Sequence, residues 1–124
     1  MEVVGIGVDM VDVGRMERVI SQRPRFVSRV FTDGEISYCQ DQANPARCYA
    51  ARWAAREACR KALGGIGQMQ WREVSVTQDE NGAPSLSLEG ASLDRARELG
   101  VSEVLVSMSH EGSLATAFCL AVKR

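Results

Sequence analysis

Residues 53–65 read WAAREACRKALGG, and this stretch decides both the fold and the place to look for chemistry. At 3.6 residues per turn, Ala50, Ala51, Ala54, Ala55, Ala58, Cys59 and Ala62 share one broad apolar arc, so the segment reads as a helix laid on a core. Arg52, Arg56 and Arg60, four apart, project to the other side and read as a solvated stripe. Glu57 and Lys61 fit neither group: they fall one turn apart at the margin of the buried arc, beside Ala50 and Ala54. Taken alone they are an ordinary i,i+4 ion pair worth a few tenths of a kcal/mol. Side chains as small as alanine also let another backbone or a ligand come close.

The helix ends at Leu63, where Gly64 and Gly65 supply the left-handed cap, and GGIG continues as a loop with exposed backbone. Upstream, the polar run DQANPAR (41–47) launches the helix. At the N-terminus, residues 2–8 alternate as a strand: Val4, Ile6 and Val8 point one way, and Val3, Gly5, Gly7 and Asp9 the other. Asp9 thus ends a strand face emptied by glycine, leaving room for something else. Residues 11–22 suit an amphipathic helix with Asp12 near its start, and Pro24 breaks it. RFVSRVFT continues as helix or turn, and Thr32 with Glu35 matches a capping box that opens a helix through Tyr38.

Downstream, Trp71–Thr77 reads as a strand, NGAP (81–84) as a turn and Ser85–Leu88 as the returning strand. Ala91–Leu99 reads as a helix closed by Gly100, and the remainder as two strands, the second apolar enough to be buried. The expected class is α+β, helices packed on a mainly antiparallel sheet, with residues 1–124 forming one domain.

The net charge is -1, which argues against bulk nucleic-acid binding, and two Trp, two Tyr and three Phe offer no interleaved stacking pattern. GIGVD lacks the third glycine of a dinucleotide fingerprint. Arginines nevertheless crowd the first quarter at positions 15, 18, 23, 25 and 29, a local cationic face for an acidic partner. Cys39, Cys48, Cys59 and Cys119 show no CxxC spacing, and His110 is the only histidine, so a zinc site is not expected. Cys59 and Cys119 read as small core residues, suiting reduced thiols in a cytoplasmic protein. No signal peptide or membrane span is read.

GIGVDMVDVGRM, RFVSRVFTDGE, RWAAREACRKALGGIG, the NGAP turn and VSMSHEGSLATAF together resemble the holo-acyl-carrier-protein synthase family of phosphopantetheinyl transferases, in family order and over nearly the whole chain. The resemblance implies transfer of 4'-phosphopantetheine from coenzyme A to a serine of an apo acyl carrier protein, releasing adenosine 3',5'-bisphosphate, in support of fatty-acid or polyketide biosynthesis. It implies Mg2+, or Mn2+, held by Asp9 and Glu57, a cation that needs few carboxylates and completes its shell with water and phosphate oxygens. Lys61 would contact the coenzyme A phosphates and stabilise the departing charge, and His110 would donate a hydrogen bond near them. Gly65, Gly67, Asn81, Gly82 and Pro84 would line coenzyme A, while Arg15, Arg25 and Arg29 would meet the acidic helix of the carrier. The serine proton has two acceptors open to it, a water on the metal or a carboxylate such as Glu57.

Members of this size are typically homotrimers with active sites at subunit interfaces, the C-terminal strand lying near the contact. Two departures concern ligand contacts: Arg56 and Ala83 stand where relatives often carry lysine. Glu111 has no assigned role. The alternatives are a non-catalytic module of the same fold that binds carrier protein or coenzyme A, and a scaffold domain whose arginines grip an acidic helix.

Overall fold

The computed structural model describes residues 1–124. Strand β1 (Glu2–Asp12) is followed by helices α1 (Val13–Gln22), α2 (Phe26–Val30), α3 (Asp33–Gln40) and α4 (Pro45–Ala62). A short 3-10 turn at Trp71–Glu73 leads into the hairpin β2 (Val74–Gln78) and β3 (Pro84–Leu88), then α5 (Gly90–Glu98), β4 (Glu103–Glu111) and β5 (Leu114–Lys123). The main sheet runs β1-β5-β4, antiparallel throughout, and β2-β3 forms a separate antiparallel pair. The α+β class is as the sequence predicts. No helix is long and apolar enough to cross a membrane.

The centre of the fold is α4 lying across β1 and β5. A Cβ added at Gly5 would overlap the carbonyl oxygen of Ala62, and one at Gly7 would overlap that of Ala58 and come within 2.8 Å of the Ala62 nitrogen. The glycine-emptied face of β1 is therefore filled by the helix backbone. Ala54, Ala55, Ala58 and Ala62 complete the close approach from the other side. An extra residue in β1 between the pairs Val3↔Val122 and Gly5↔Ala121 shifts the register, so Val4 packs on the core instead of joining Ile6 and Val8 on the outer face.

Helix boundaries follow local chemistry. Asn44 Oδ1 accepts from the Arg47 amide at 3.1 Å, and Pro45 takes the first helical position of α4. At the far end Gly64 and Gly65 turn at φ 69° and 98°, their amides donating to Lys61 and Arg60 carbonyls. Thr32 and Glu35 form the expected capping box, and Asp12 caps α1 through the Arg15 amide. The first helix thus starts two residues later than the periodicity suggests, because β1 continues to Asp12. Residues 71–73 turn rather than extend, and β5 alternates: Ala115, Ala117, Cys119 and Ala121 are buried, while Leu114 and Phe118 face out.

Two arginines contradict the solvated stripe. Arg56 is 0% and Arg52 3% exposed, because α3 and the β2 hairpin cover that side of α4; Arg60 alone reaches solvent. Arg56 donates through both terminal nitrogens to the Glu35 carboxylate, through Nε to the Trp71 carbonyl at 3.0 Å, and through Nη1 to the Arg52 carbonyl at 3.3 Å. Glu35 also accepts from the Thr32 and Val76 amides, both at 3.0 Å. Burial pushes its carboxyl up, but Arg56 and these amides outweigh that and hold it below the ordinary value. Cys39 and Cys48 form a disulfide between α3 and α4, a pairing to which their spacing gives no clue, whereas Cys59 and Cys119 are free and buried.

Candidate active site

Because glycine lets α4 settle so close to β1, the last two turns of the helix bring their charged margin onto the inner edge of the strand. Lys61 Nζ donates to the Val8 carbonyl at 2.9 Å and to Asp9 Oδ1 at 3.2 Å. One turn earlier, Glu57 accepts from Arg60 Nη2 at 2.8 Å and Nε at 3.2 Å. Asp9 and Glu57 are partly open to solvent and line the same cavity, of about 380 Å³, together with Asp12, Arg15, Phe26 and Trp53. Asp12 is already engaged as the cap of α1, so Asp9 and Glu57 are the two carboxylates that face this space free of a backbone role.

Glu57 also borders a second cavity of about 360 Å³ with Arg60, Gly67 and Trp71. Beyond Trp53 and Trp71 a third, of about 550 Å³, runs past Arg23, Arg25 and Arg29. Of the residues expected to meet a carrier protein, Arg15 thus borders the carboxylate cavity and Arg25 and Arg29 the groove next to it. The aromatic wall of Phe26, Trp53 and Trp71 joins all three spaces, with Trp53 and Trp71 rings 4.6 Å apart.

His110 lies elsewhere. It sits exposed near the end of β4 and borders a cavity of about 240 Å³ with Tyr38, Asn44, Arg47, Cys48 and Gln78. Gly82 borders a neighbouring space of about 450 Å³ that shares Tyr38 and Gln78. At 100° per residue, Trp53 and Glu57 project roughly half a turn away from Cys48 and Arg52. One chain therefore carries two sets of cavities on opposite flanks of α4, and His110 does not join Asp9 and Glu57. The turn at Asn81, Gly82 and Ala83 is held by Asp79, whose Oδ1 accepts from the Asn81 and Ala83 amides at 2.8 and 2.9 Å; Pro84 then opens β3. Gly65 serves the helix end and offers its carbonyl to Arg95 Nε at 3.2 Å.

A family model described as the 4'-phosphopantetheinyl transferase superfamily matches residues 5–119. The chain belongs to the 4'-phosphopantetheinyl transferase superfamily. Among its relatives in the superfamily, the holo-[acyl-carrier-protein] synthase of Moorella thermoacetica is 42% identical over 115 residues, covering 92% of this chain and 90% of the relative. The crystal structure of holo-[acyl-carrier-protein] synthase from Neisseria meningitidis superposes with a TM-score of 0.88 at 31% identity, covering 98% of this chain and 100% of that one. That of the Helicobacter pylori enzyme in complex with coenzyme A gives 0.79 at 25% identity, covering 94% and 99%.

Seen as a transferase-superfamily member, the chain has features that sequence reasoning missed. Arg56 does not point at a ligand; it is held by Glu35, so the exchange of lysine for arginine there concerns the interior. The Phe26, Trp53 and Trp71 wall escaped notice because its members come from three separate segments. Arg47 and Asn44 beside His110 were hidden in a stretch that reads as a plain loop; the only available signal was the Asn-Pro start of α4.

Proposed function

We propose that residues 1–124 act as one holo-[acyl-carrier-protein] synthase domain, transferring 4'-phosphopantetheine from coenzyme A to a serine hydroxyl of an apo acyl carrier protein, with adenosine 3',5'-bisphosphate as the other product. The observation that carries this is the convergence of Asp9 from β1 and Glu57 from α4 on one cavity, with Lys61 bound to Asp9 at its edge.

The donor set suits Mg2+. Two oxygen-bearing carboxylates without histidine or thiolate leave most of an octahedron to water and phosphate. Asp9 and Glu57 would hold the ion, which when bound supplies positive charge for the pyrophosphate oxygens. Lys61 holds Asp9 in place and puts its own ammonium beside it, so the phosphate that leaves meets a cation already anchored to the Val8 carbonyl. Arg60, on Glu57, adds a second cation next to Gly67. Phe26 and Trp53 give the cavity an apolar wall.

Arg15, Arg25 and Arg29 lie beside these cavities and would orient an acidic carrier helix so that its serine reaches the carboxylates. A homotrimer accounts for two further observations. The outer face of the main sheet leaves Ile6, Val8, Met10, Leu105 and Phe118 between 41% and 63% exposed, a patch fit for a subunit contact. The flank with His110 and the flank with Glu57 are separated within one chain, so a ligand spanning both sets of groups needs a second copy.

The test is the intact mass of an apo acyl carrier protein incubated with the full chain, coenzyme A and Mg2+. A gain of one phosphopantetheine, lost on adding a chelator, is expected. Carriers left unmodified by a folded chain that still binds coenzyme A would replace this reading with the binding-module one.

A further inference from the structure

The four cysteines divide into two kinds. Cys59 and Cys119 are sealed in the core, and burial pushes both thiols up to about 12, far from ionising at neutral pH. Cys39 and Cys48 are bonded to each other with their Cα atoms 5.4 Å apart, tying the last turn of α3 to the first turn of α4.

Within this pair the sulfurs are not equivalent. Cys39 is 0% exposed, whereas Cys48 is half-buried and borders the cavity that holds His110 and Arg47. Arg52 Nη1 stands 3.1 Å from Cys48 Sγ, one turn along the same helix. The rest of that guanidinium is fixed: Nη2 donates to Gln78 Oε1 at 2.7 Å, and Nε, buried without a hydrogen-bond partner, lies 4.0 Å from Glu35. A fixed guanidinium beside a sulfur in the first turn of a helix favours thiolate over thiol. In the reduced pair, Cys48 is thus the sulfur that stands beside a cation and that borders the cavity, with Cys39 directly behind it.

We propose that Cys48 is a peroxide-reactive thiol with Cys39 as its resolving partner, and that their bond sets the shape of the cavity beside His110. The Cys48 thiolate attacks one oxygen of a hydroperoxide; an S–O bond forms, the O–O bond breaks, and the departing oxyanion takes a proton from water to leave as an alcohol, or as water from hydrogen peroxide. Cys48 is oxidised by two electrons to the sulfenic acid and the peroxide is reduced. The Cys39 thiol then attacks the Cys48 sulfur, forming the disulfide, and its proton leaves with the displaced hydroxide as water. The bond ties the end of α3, which carries Tyr38, to the start of α4, which carries Arg47, and both residues line this cavity, so oxidation and reduction present two different cavity walls to a ligand. That consequence rests on the coenzyme A reading above, because coenzyme A is the ligand expected near His110.

The experiment reduces the full chain with dithiothreitol, removes the reductant, treats one portion with hydrogen peroxide, denatures both portions in iodoacetamide and counts alkyl groups by intact mass. Two are expected after peroxide, at Cys59 and Cys119, and four after dithiothreitol. A Cys39→Ser variant treated with peroxide and dimedone should carry the adduct on Cys48. Four alkyl groups after peroxide, or no adduct on Cys48, overturns the thiol chemistry. Calorimetry with coenzyme A on oxidised and reduced chain should differ in Kd by about fivefold or more, a difference absent from Cys39→Ser. Equal affinities overturn the cavity effect. Failure of both forms to bind coenzyme A overturns the proposed function and the cavity effect with it, while the alkyl counts and the Cys48 adduct decide the thiol step independently.

Discussion

Glu35 and Glu57 are both glutamates paired with an arginine, yet they serve opposite ends. Glu35 is 2% exposed, and its oxygens accept from Arg56, two backbone amides and the Thr32 hydroxyl, so no lone pair is left for anything outside the chain. Glu57 has a single partner, Arg60, whose side chain is 40% exposed, and it borders two cavities. A carboxylate surrounded by fixed donors locks elements together, here α3, α4 and β2. One held by a mobile surface cation is available to a ligand.

Breaking the Glu35 pair should have the largest effect. Glu35→Ala leaves Arg56 charged and buried, and the expected loss is about 3–5 kcal/mol, read by urea unfolding. A midpoint close to that of the parent protein would mean that the network does not hold these elements. Next comes the contact that brings Glu57 and Lys61 to β1. Gly7→Ala forces α4 off the strand and should lower stability by about 1–3 kcal/mol while also slowing transfer; an effect on neither would show that the close approach is dispensable. Charge reversal at Arg25 should raise the KM for carrier protein about tenfold, leaving the KM for coenzyme A unchanged and flattening the salt dependence. A uniform rise in both would remove the carrier role.

The pH dependence is smaller and sharpens the same contrast. The Glu35 carboxyl is held below its ordinary 4.5, so its stabilisation is present above that pH and is lost as pH falls through the lower folded value. Cys59 and Cys119 have the reverse shift, from 9.0 to about 12, so their contribution is complete below pH 9 and declines between 9 and about 12. Unfolding free energies measured across pH should show both slopes, and Glu35→Gln should remove the acid one alone.

Much of this could be read from local chemistry. Thr32 with Glu35 and the glycines after Leu63 are signals that need no tertiary context, and both appear where expected, whereas α4 already starts at Pro45, inside the run 41–47 that reads as a loop. The Ala face of α4 and the Gly face of β1 were both legible, but their mutual fit was not, because it depends on which elements meet. Arg52 and Arg56 show the limit of helical periodicity: it marks the side away from the alanines but does not say that α3 and β2 cover that side with a matching carboxylate. Asp9, Glu57 and Lys61 lie close together because strand and helix positions fix them. His110 did not join them in one chain, because strand order puts β5 between β4 and β1.

We propose that Glu57 is a catalytic carboxylate and not a second structural one. Its most direct test is the single-turnover rate of transfer to apo carrier protein by Glu57→Gln at saturating coenzyme A and Mg2+, measured beside its unfolding midpoint. The expected result is a rate lower by about 100-fold or more with the midpoint unchanged. A rate close to that of the parent protein, or a loss of rate that merely follows a loss of folded protein, would leave Glu57 with no part in the chemistry.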